Sequence, residues 1–506
     1  MGGKRLAINM IANIVAFVVQ FGINFVLTPY IVRTLGSEAY GFVQLSNNVI
    51  SWISILTVAL NSMAGRFICI EINRQNTEKA KEYFNSVLIA NTVLAIILMV
   101  PSILLVVFAN RVMNVPVHLL SDVRIMFAFA LIGMEVQLLL NVFATVYYTT
   151  NRVDIQAKRN IEGNVLRAVV LVALFASLPA RMWYVTGTMM LVYLYLGLAD
   201  IYYTKKLTPQ LTIDARYFKG SAVKELLSSG VWNSINQLST VLLTSLDLYL
   251  ANIFISAQAS GEYSLVKTVP NFIQSLVGVL VGVFIPQFTI LYARKKKEEL
   301  LDSIDFSIKV MGYLMMIPVG FLLVFGEDFF HVWVPTQNAH LLQELSVLTL
   351  IPMIATCSIN TIFNVYTVTN KLKIPALVLL GSGFANVIVV IILLRYFSLG
   401  LWVIPLVAMI NALVRHLTFT PIYAAHCLGV PWFTFYKAII RGCCCVATVI
   451  AVCSLYKMVF PAESWPMLIL AGCVCTCVAL VVNLFVVFRI EERRRLVKLI
   501  FKKIVK

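Results

Sequence analysis

Asn9, Asn13, Gln20 and Asn24 lie within about 60° of one another on a helical wheel at 100° per residue, inside the first long apolar run of the chain. A second row, Asn233, Gln237, Thr240, Thr244 and Asp247, runs along the seventh apolar run, and Lys267, Asn271 and Gln274 share a face of the eighth. Asn141 and Asn360 stand in the fourth and tenth. Polar side chains in hydrocarbon are costly unless they face a partner or water. One reading joins these faces across a central, water-filled cavity; the other makes them hydrogen bonds between neighbouring helices. Rows of full helix length that recur in both halves of the chain favour the cavity.

The charges embedded in the runs sharpen this picture. Glu135 lies near the middle of the fourth run, where an unpaired charge costs roughly 2.5–3.5 kcal/mol, so it is paired, protonated or wet. Arg415 lies well inside the twelfth run, and Arg167 and Arg66 lie close enough to run ends that snorkelling competes with a functional role. Asp247 and Lys267 occupy adjoining runs at similar depth, as a structural ion pair or as part of a ligand site. Nothing resembles a catalytic constellation: 326–343 holds Glu327, Asp328, His331 and His340 without a triad or HExxH, and no P-loop GxxxxGK[ST] occurs. Seven of the ten cysteines fall in the last two runs, where no His or carboxylate interleaves to complete a metal set. They read as small packing residues.

The elements that carry these groups follow from composition. The chain has 506 residues, 60% hydrophobic and 12% charged, with mean hydropathy +0.89, against about 25% charged in soluble proteins. Fourteen runs of membrane-spanning length follow one another between residues 9 and 488, without the period-two alternation of barrel strands. With both termini cytoplasmic, thirty of the forty Lys and Arg fall inside and five outside, which satisfies the positive-inside rule. The net charge of +17 therefore reads as topology and contact with anionic membrane lipids rather than nucleic-acid binding. The first run is too long for a signal-peptide core and is expected to remain as an anchor.

The halves repeat. "RTLGSEAYGFVQL" (33–45) matches "FISAQASGEYSLV" (253–265), "VPSILLVVFANRVMNV" (100–115) matches "IPVGFLLVFGEDFFHV" (317–332), and "YYTTNRVDIQA" (147–157) matches "YTVTNKLKIPA" (366–376), in one order at offsets between 217 and 220. Six helices per copy is an even number, so the copies share one membrane orientation, as in parallel-repeat transporters. The expected architecture is an all-α polytopic membrane protein: an N-lobe over 1–203, a cytoplasmic linker over 204–226, a C-lobe over 227–425, two appended helices over 426–488, and a basic amphipathic tail over 489–506.

Fourteen spans, two six-helix lobes, the "LGSEAYG" turn, "LDLYLANIFISAQASGEYSLV" (246–266) and "IPVGFLLVF" (317–325) together resemble the polysaccharide-transporter branch of the multidrug/oligosaccharidyl-lipid/polysaccharide flippase superfamily, and most of all its Wzx-type O-antigen or capsule flippases. That resemblance implies a bacterial inner-membrane protein that moves a polyprenyl-diphosphate-linked oligosaccharide to the outer leaflet by alternating access of a cationic cavity, alongside other membrane proteins of polysaccharide assembly. Arg415, then Arg66 and Lys267, with Arg167, would contact the diphosphate, since Arg suits forked phosphate contacts. The Asn, Gln and Thr rows would contact sugar hydroxyls. Glu135 and Asp247 would couple transport to H+ or Na+, with no cofactor. Such families commonly follow the Asp of the seventh helix with a basic residue; here Leu248 follows Asp247. A lipid II flippase would share the lobes. A multidrug antiporter should carry an acidic, aromatic-lined cavity, and a polymerase or ligase should carry a large outer catalytic loop.

Overall fold

The computed structural model describes all residues except Met1, Val283, Ser398, 489–491 and 494–506. The described residues form helices and their connections and contain no strand. Fourteen long helices follow the fourteen runs: α1 (Gly2–Leu35), α2 (Ser37–Asn73), α3 (Thr77–Val107), α4 (Val117–Thr149), α5 (Val153–Ser177), α6 (Trp183–Leu207), α7 (220–254), α8 (Ala257–Ala293), α9 (Lys297–Trp333), α10 (Ala339–Val368), α11 (Lys373–Phe397), α12 (Val403–Leu428), α13 (Tyr436–Val459) and α14 (Trp465–Val487). Thirteen are long and apolar enough to cross a membrane. The exception, α7, begins with Lys224, Glu225 and a series of Ser, Asn and Gln that keeps its first part polar. The basic tail falls almost wholly outside the described residues, of which only Glu492 and Arg493 are seen.

The duplication is written in the backbone. Gln75 and Lys295, the residues between α2 and α3 and between α8 and α9, both adopt left-handed φ, of 61° and 56°. Asn151 and Asn370, in the matched "TTN" and "VTN" turns, do so at 53° and 55°. Asn is among the few residues that tolerate this region at modest cost. The helices α4 and α10 each break into a 3-10 turn at the matched Asn141 and Asn360. Asn76 caps α3 by accepting a hydrogen bond from the Lys79 amide, and Asn338 caps α10 through the Leu341 amide. The left-handed turns and the 3-10 breaks are kept in both copies, whereas the Asn caps fall on unmatched helices, and α9, the counterpart of α3, has no side-chain cap at Lys296.

By their internal contacts the residues form two compact units. One holds Met1–Gly261 with Leu379–Val387, and the other Glu262–Val378 with Ile388–Lys506. In the first unit α7 lies along α2. A carbonyl released by the π-turn Val241–Ser245 is taken up there, since Asn48 Nδ2 donates to Ser245 O at 2.9 Å. Two turns nearer the start of α2 the matched glycines of the "AYG" and "ASG" motifs meet. A Cβ on Gly41 would lie 2.8 Å from Gly261 Cα, and one on Gly261 would lie 2.1 Å from Ser37 O. Only glycine permits so close a backbone approach.

The segment expected as a linker is tied down. Leu211, Ala222 and Leu226 join the core formed by Leu60, Ile68, Phe84 and Phe143. Asn85 on α3 donates to Thr212 O and accepts from Asp214 N, each at 2.9 Å, as a strand neighbour would. In the second unit α13 crosses α9 where Gly312 meets Gly442, and Cys357 and Cys445 fill its core. All ten cysteines are free thiols.

Candidate functional site

Arg167 is a half-buried cation of the first unit. The apolar run put it one or two turns from a helix end. In fact α5 starts at Val153, earlier than hydropathy suggested, because Arg159 and Glu162 in its first turns are paired with each other at 2.8 Å. Arg167 therefore lies in mid-helix, out of snorkelling reach. Its Nη2 donates to Asn24 Oδ1 at 2.5 Å and its Nη1 lies 3.1 Å from Met189 Sδ. No carboxylate pairs with it among the described residues. It borders a cavity of about 90 Å³ lined by Asn24, Thr28, Tyr40, Gln44, Asn47 and Thr186. The Tyr40 hydroxyl accepts from Gln44 Nε2 at 2.7 Å and sits 3.4 Å from Thr28 Oγ1. The site thus offers one guanidinium, hydroxyls and amides, and no acid.

Glu135 differs in kind. Both its carboxyl oxygens are shielded from solvent, and neither has a hydrogen-bond partner among the described residues. An ionised carboxylate in that position would cost several kcal/mol. One further group in this unit went unread in the sequence: Asp200 on α6 and Arg159 on α5 line a cavity of about 140 Å³ with Gln137, Asn141, Gln156 and Asn160. Beside it, Tyr195 donates to Glu162 and accepts from the cavity-lining Arg159 at 3.2 Å. The only signals in the sequence were the Arg159–Glu162 spacing of three and a carboxylate inside the sixth run.

The polar rows split between the two readings. In α1, Asn9 is buried and bonds to the Asn151 side chain at 2.8 Å and, as acceptor, to the Asp154 amide at 3.2 Å. In α7, Asn233 donates to Ser62 at 3.0 Å and Gln237 to Ser54 at 3.1 Å, both on α2. These three are interhelical ties. Asn13, Gln20, Thr240, Thr244 and Asn141 are exposed on the protein surface, and Thr240 and Thr244 donate back to Asn236 O and Thr240 O. Asp247 is buried. Arg66 is exposed on α2.

In the second unit Arg415 opens a π-turn, Arg415–Phe419, and its Nη2 lies 3.2 Å from Nε2 of buried His416. Thr420 Oγ1 donates to Arg415 O at 3.2 Å, taking up the carbonyl that a π-turn displaces. Lys267 sits 5.5 Å from the centre of the Tyr263 ring. Asn271 is exposed on α8, and Asn360 is half-buried at the 3-10 break of α10.

The described residues thus form a duplicated all-helical fold of membrane-spanning length with polar groups in its interior. The family is shown by sequence: residues 6–292 match the model "Polysaccharide biosynthesis protein", and the chain belongs to that family. It is 29% identical over 500 residues, 99% of this chain and 98% of the relative, to "Uncharacterized membrane protein EpsK" of Bacillus subtilis (strain 168). The fold is that of "Lipid II flippase MurJ, inward closed conformation" (TM-score 0.68, 12% identity, 98% of this chain and 99% of that one). It is equally that of an inward-facing multidrug resistance MATE family transporter of the MOP superfamily (TM-score 0.64, 16% identity, 87% and 97% covered). The protein is a multi-pass membrane protein of polysaccharide biosynthesis with a flippase and transporter fold.

Proposed function

We propose that this protein is a flippase that carries a polyprenyl-diphosphate-linked oligosaccharide across the bacterial inner membrane for surface-polysaccharide synthesis, its basic loops facing the cytoplasm. The observation that carries the proposal is Arg167: a mid-helix guanidinium held by an amide and a thioether, beside a cavity whose polar lining is hydroxyls and amides. A cation without a counter-charge in a low-dielectric setting attracts an anion, and its fork matches a diphosphate. The surrounding Asn24, Tyr40, Gln44, Asn47 and Thr186 offer donors and acceptors for sugar hydroxyls. Arg415 is a second phosphate contact. Glu135 exchanges a proton during the cycle, with H+ as the coupling ion, and the polyprenyl chain stays in lipid. The chain acts by transport and not by catalysis.

Reconstitution into proteoliposomes tests this reading. A fluorescent polyprenyl-diphosphate oligosaccharide is expected to become accessible to an external quencher, while lipid II and a cationic dye are moved more slowly. Preferred movement of lipid II or of the dye would transfer the protein to a lipid II flippase or a multidrug antiporter.

A further inference from the structure

The same four positions on the matched helices α3 and α9 have opposite fates. On α3, Lys81, Glu82, Asn85 and Ser86 are covered by the connector that follows α6. Tyr217 lies under the Lys81 ammonium at 5.1 Å, Lys219 pairs with Glu82, Thr212 and Asp214 bond Asn85, and the Lys219 amide donates to Ser86 Oγ at 2.9 Å. Shifted by the 220 residues that separate the left-handed Gln75 and Lys295, these positions become Leu301, Asp302, Asp305 and Phe306 on α9. There the connector after α12 is shorter, 429–435 against 208–219, and it leaves a cavity of about 520 Å³. The repeat thus predicts a filled face, and among the described residues the second unit has an open one.

The lining of that cavity has an unmatched charge of each sign. Lys309 is satisfied, lying between Asp305 at 2.5 Å and Glu492 at 2.7 Å. Asp302, Lys437 and Arg441 also line it, and none of the three has an ion pair among the described residues. In the first unit the position of Asp302 is held by Glu82, and what sits on Glu82 is an ammonium, that of Lys219. The missing occupant of the second cavity should therefore present an ammonium to Asp302 and an anion to Lys437 and Arg441. The connector before them carries Trp432 and Phe433, 61% and 60% exposed. Aromatic residues of this kind settle at the membrane–water interface, which puts the cavity at headgroup depth.

We propose that this cavity binds the headgroup of a phosphatidylethanolamine molecule from the adjoining leaflet, its ammonium on Asp302 and its phosphate on Lys437 and Arg441. A primary ammonium, with three donors, suits carboxylates. A quaternary one would want an aromatic cage, and the aromatic residues of the lining, Phe306 and Phe435, are buried in the core. The site needs no assumption about cargo or direction of transport, and it stands if the flippase reading falls.

Native mass spectrometry of the full-length protein, released from detergent after exchange into phosphatidylethanolamine, phosphatidylglycerol or phosphatidylcholine, reads the site directly. One phosphatidylethanolamine is expected to be retained. Retention should fall about tenfold in Asp302→Asn and in Lys437→Gln/Arg441→Gln, as expected for losing a charge-assisted hydrogen bond, and should be unchanged in Glu82→Gln, where the connector fills the equivalent face. Retention of phosphatidylglycerol equal to that of phosphatidylethanolamine, with no effect of Asp302→Asn, would overturn the proposal in favour of an anionic-lipid site. Equal retention of phosphatidylcholine, or retention of no lipid by the wild type, would also overturn it. Gel filtration and a thermal melt confirm that each variant is folded; Asp302 and Lys437 are exposed and Arg441 is half-buried, so their substitution should leave the core intact.

Discussion

The two halves of this chain agree in their turns and disagree in their interiors. Gln75 and Lys295, Asn151 and Asn370, and the helix breaks at Asn141 and Asn360 are the same backbone events in the same places. The polar interiors share no such pairing. The first unit holds Arg167 against Asn24, an unpartnered Glu135 and the Arg159–Glu162–Tyr195 cluster, whereas the second holds Arg415 beside His416 and Lys309 between two carboxylates. A turn is fixed by local sterics, so duplication copies it and any drift is penalised. A buried polar group depends on partners from several helices, so each copy is free to acquire its own. The scaffold is symmetric and the chemistry is not.

The largest effect should come from breaking the contact between the matched glycines. Gly261→Leu, whose Cβ alone would meet Ser37 O at 2.1 Å, is expected to abolish accumulation of folded protein. Gly278→Leu on the same helix, with open space around it, should leave yield and melting temperature as in the wild type. Overpacking against side chains costs roughly 1–3 kcal/mol, and a backbone obstacle cannot rotate away. Equal yields for the two variants would mean that the close approach is dispensable.

Glu135→Gln ranks next. It removes a titrating group that has no partner to lose, so the melting temperature should hold or rise, while the pH dependence of flipping flattens. A variant with unchanged rate and unchanged pH profile would remove Glu135 from the coupling mechanism. Smaller still are the turn residues. Asn151→Ala and Asn370→Ala should each destabilise by about 1 kcal/mol, the cost of a Cβ-bearing residue without a local hydrogen bond at left-handed φ. Asn151→Ala should be the worse of the two, because Asn9 also loses its acceptor. Identical melting shifts would show that the Asn9 tie contributes nothing.

Much of the scaffold was legible in the sequence. Hydropathy marked fourteen helices, and three motif pairs at nearly one offset revealed the duplication, because both signals are local. The site was less legible, since a wheel diagram assigns a face but not the neighbour. Asn233 and Gln237 looked like cavity-lining groups and turned out to bond to Ser62 and Ser54 on α2. Arg167 looked peripheral because Arg159 and Glu162 lowered the hydropathy of its first turns, although as a pair they sit comfortably in the helix. The linker over 204–226 read only as a join between lobes, since nothing local says that its polar groups match those of α3. Removing 494–506, the basic end of the chain, should have the smallest effect of all, leaving the flipping rate within about twofold of wild type, as expected of a segment whose contribution is electrostatic attraction to lipid.

The proposed phosphate contact of the first unit is Arg167, and its removal is the most direct test. In proteoliposomes carrying a fluorescent polyprenyl-diphosphate oligosaccharide, Arg167→Ala should slow flipping by roughly tenfold to a hundredfold, in line with the loss of a charge-assisted contact. Arg167→Lys should fall in between, because it keeps the charge and loses the fork. Flipping by Arg167→Ala at the wild-type rate, with the protein folded, would contradict the account.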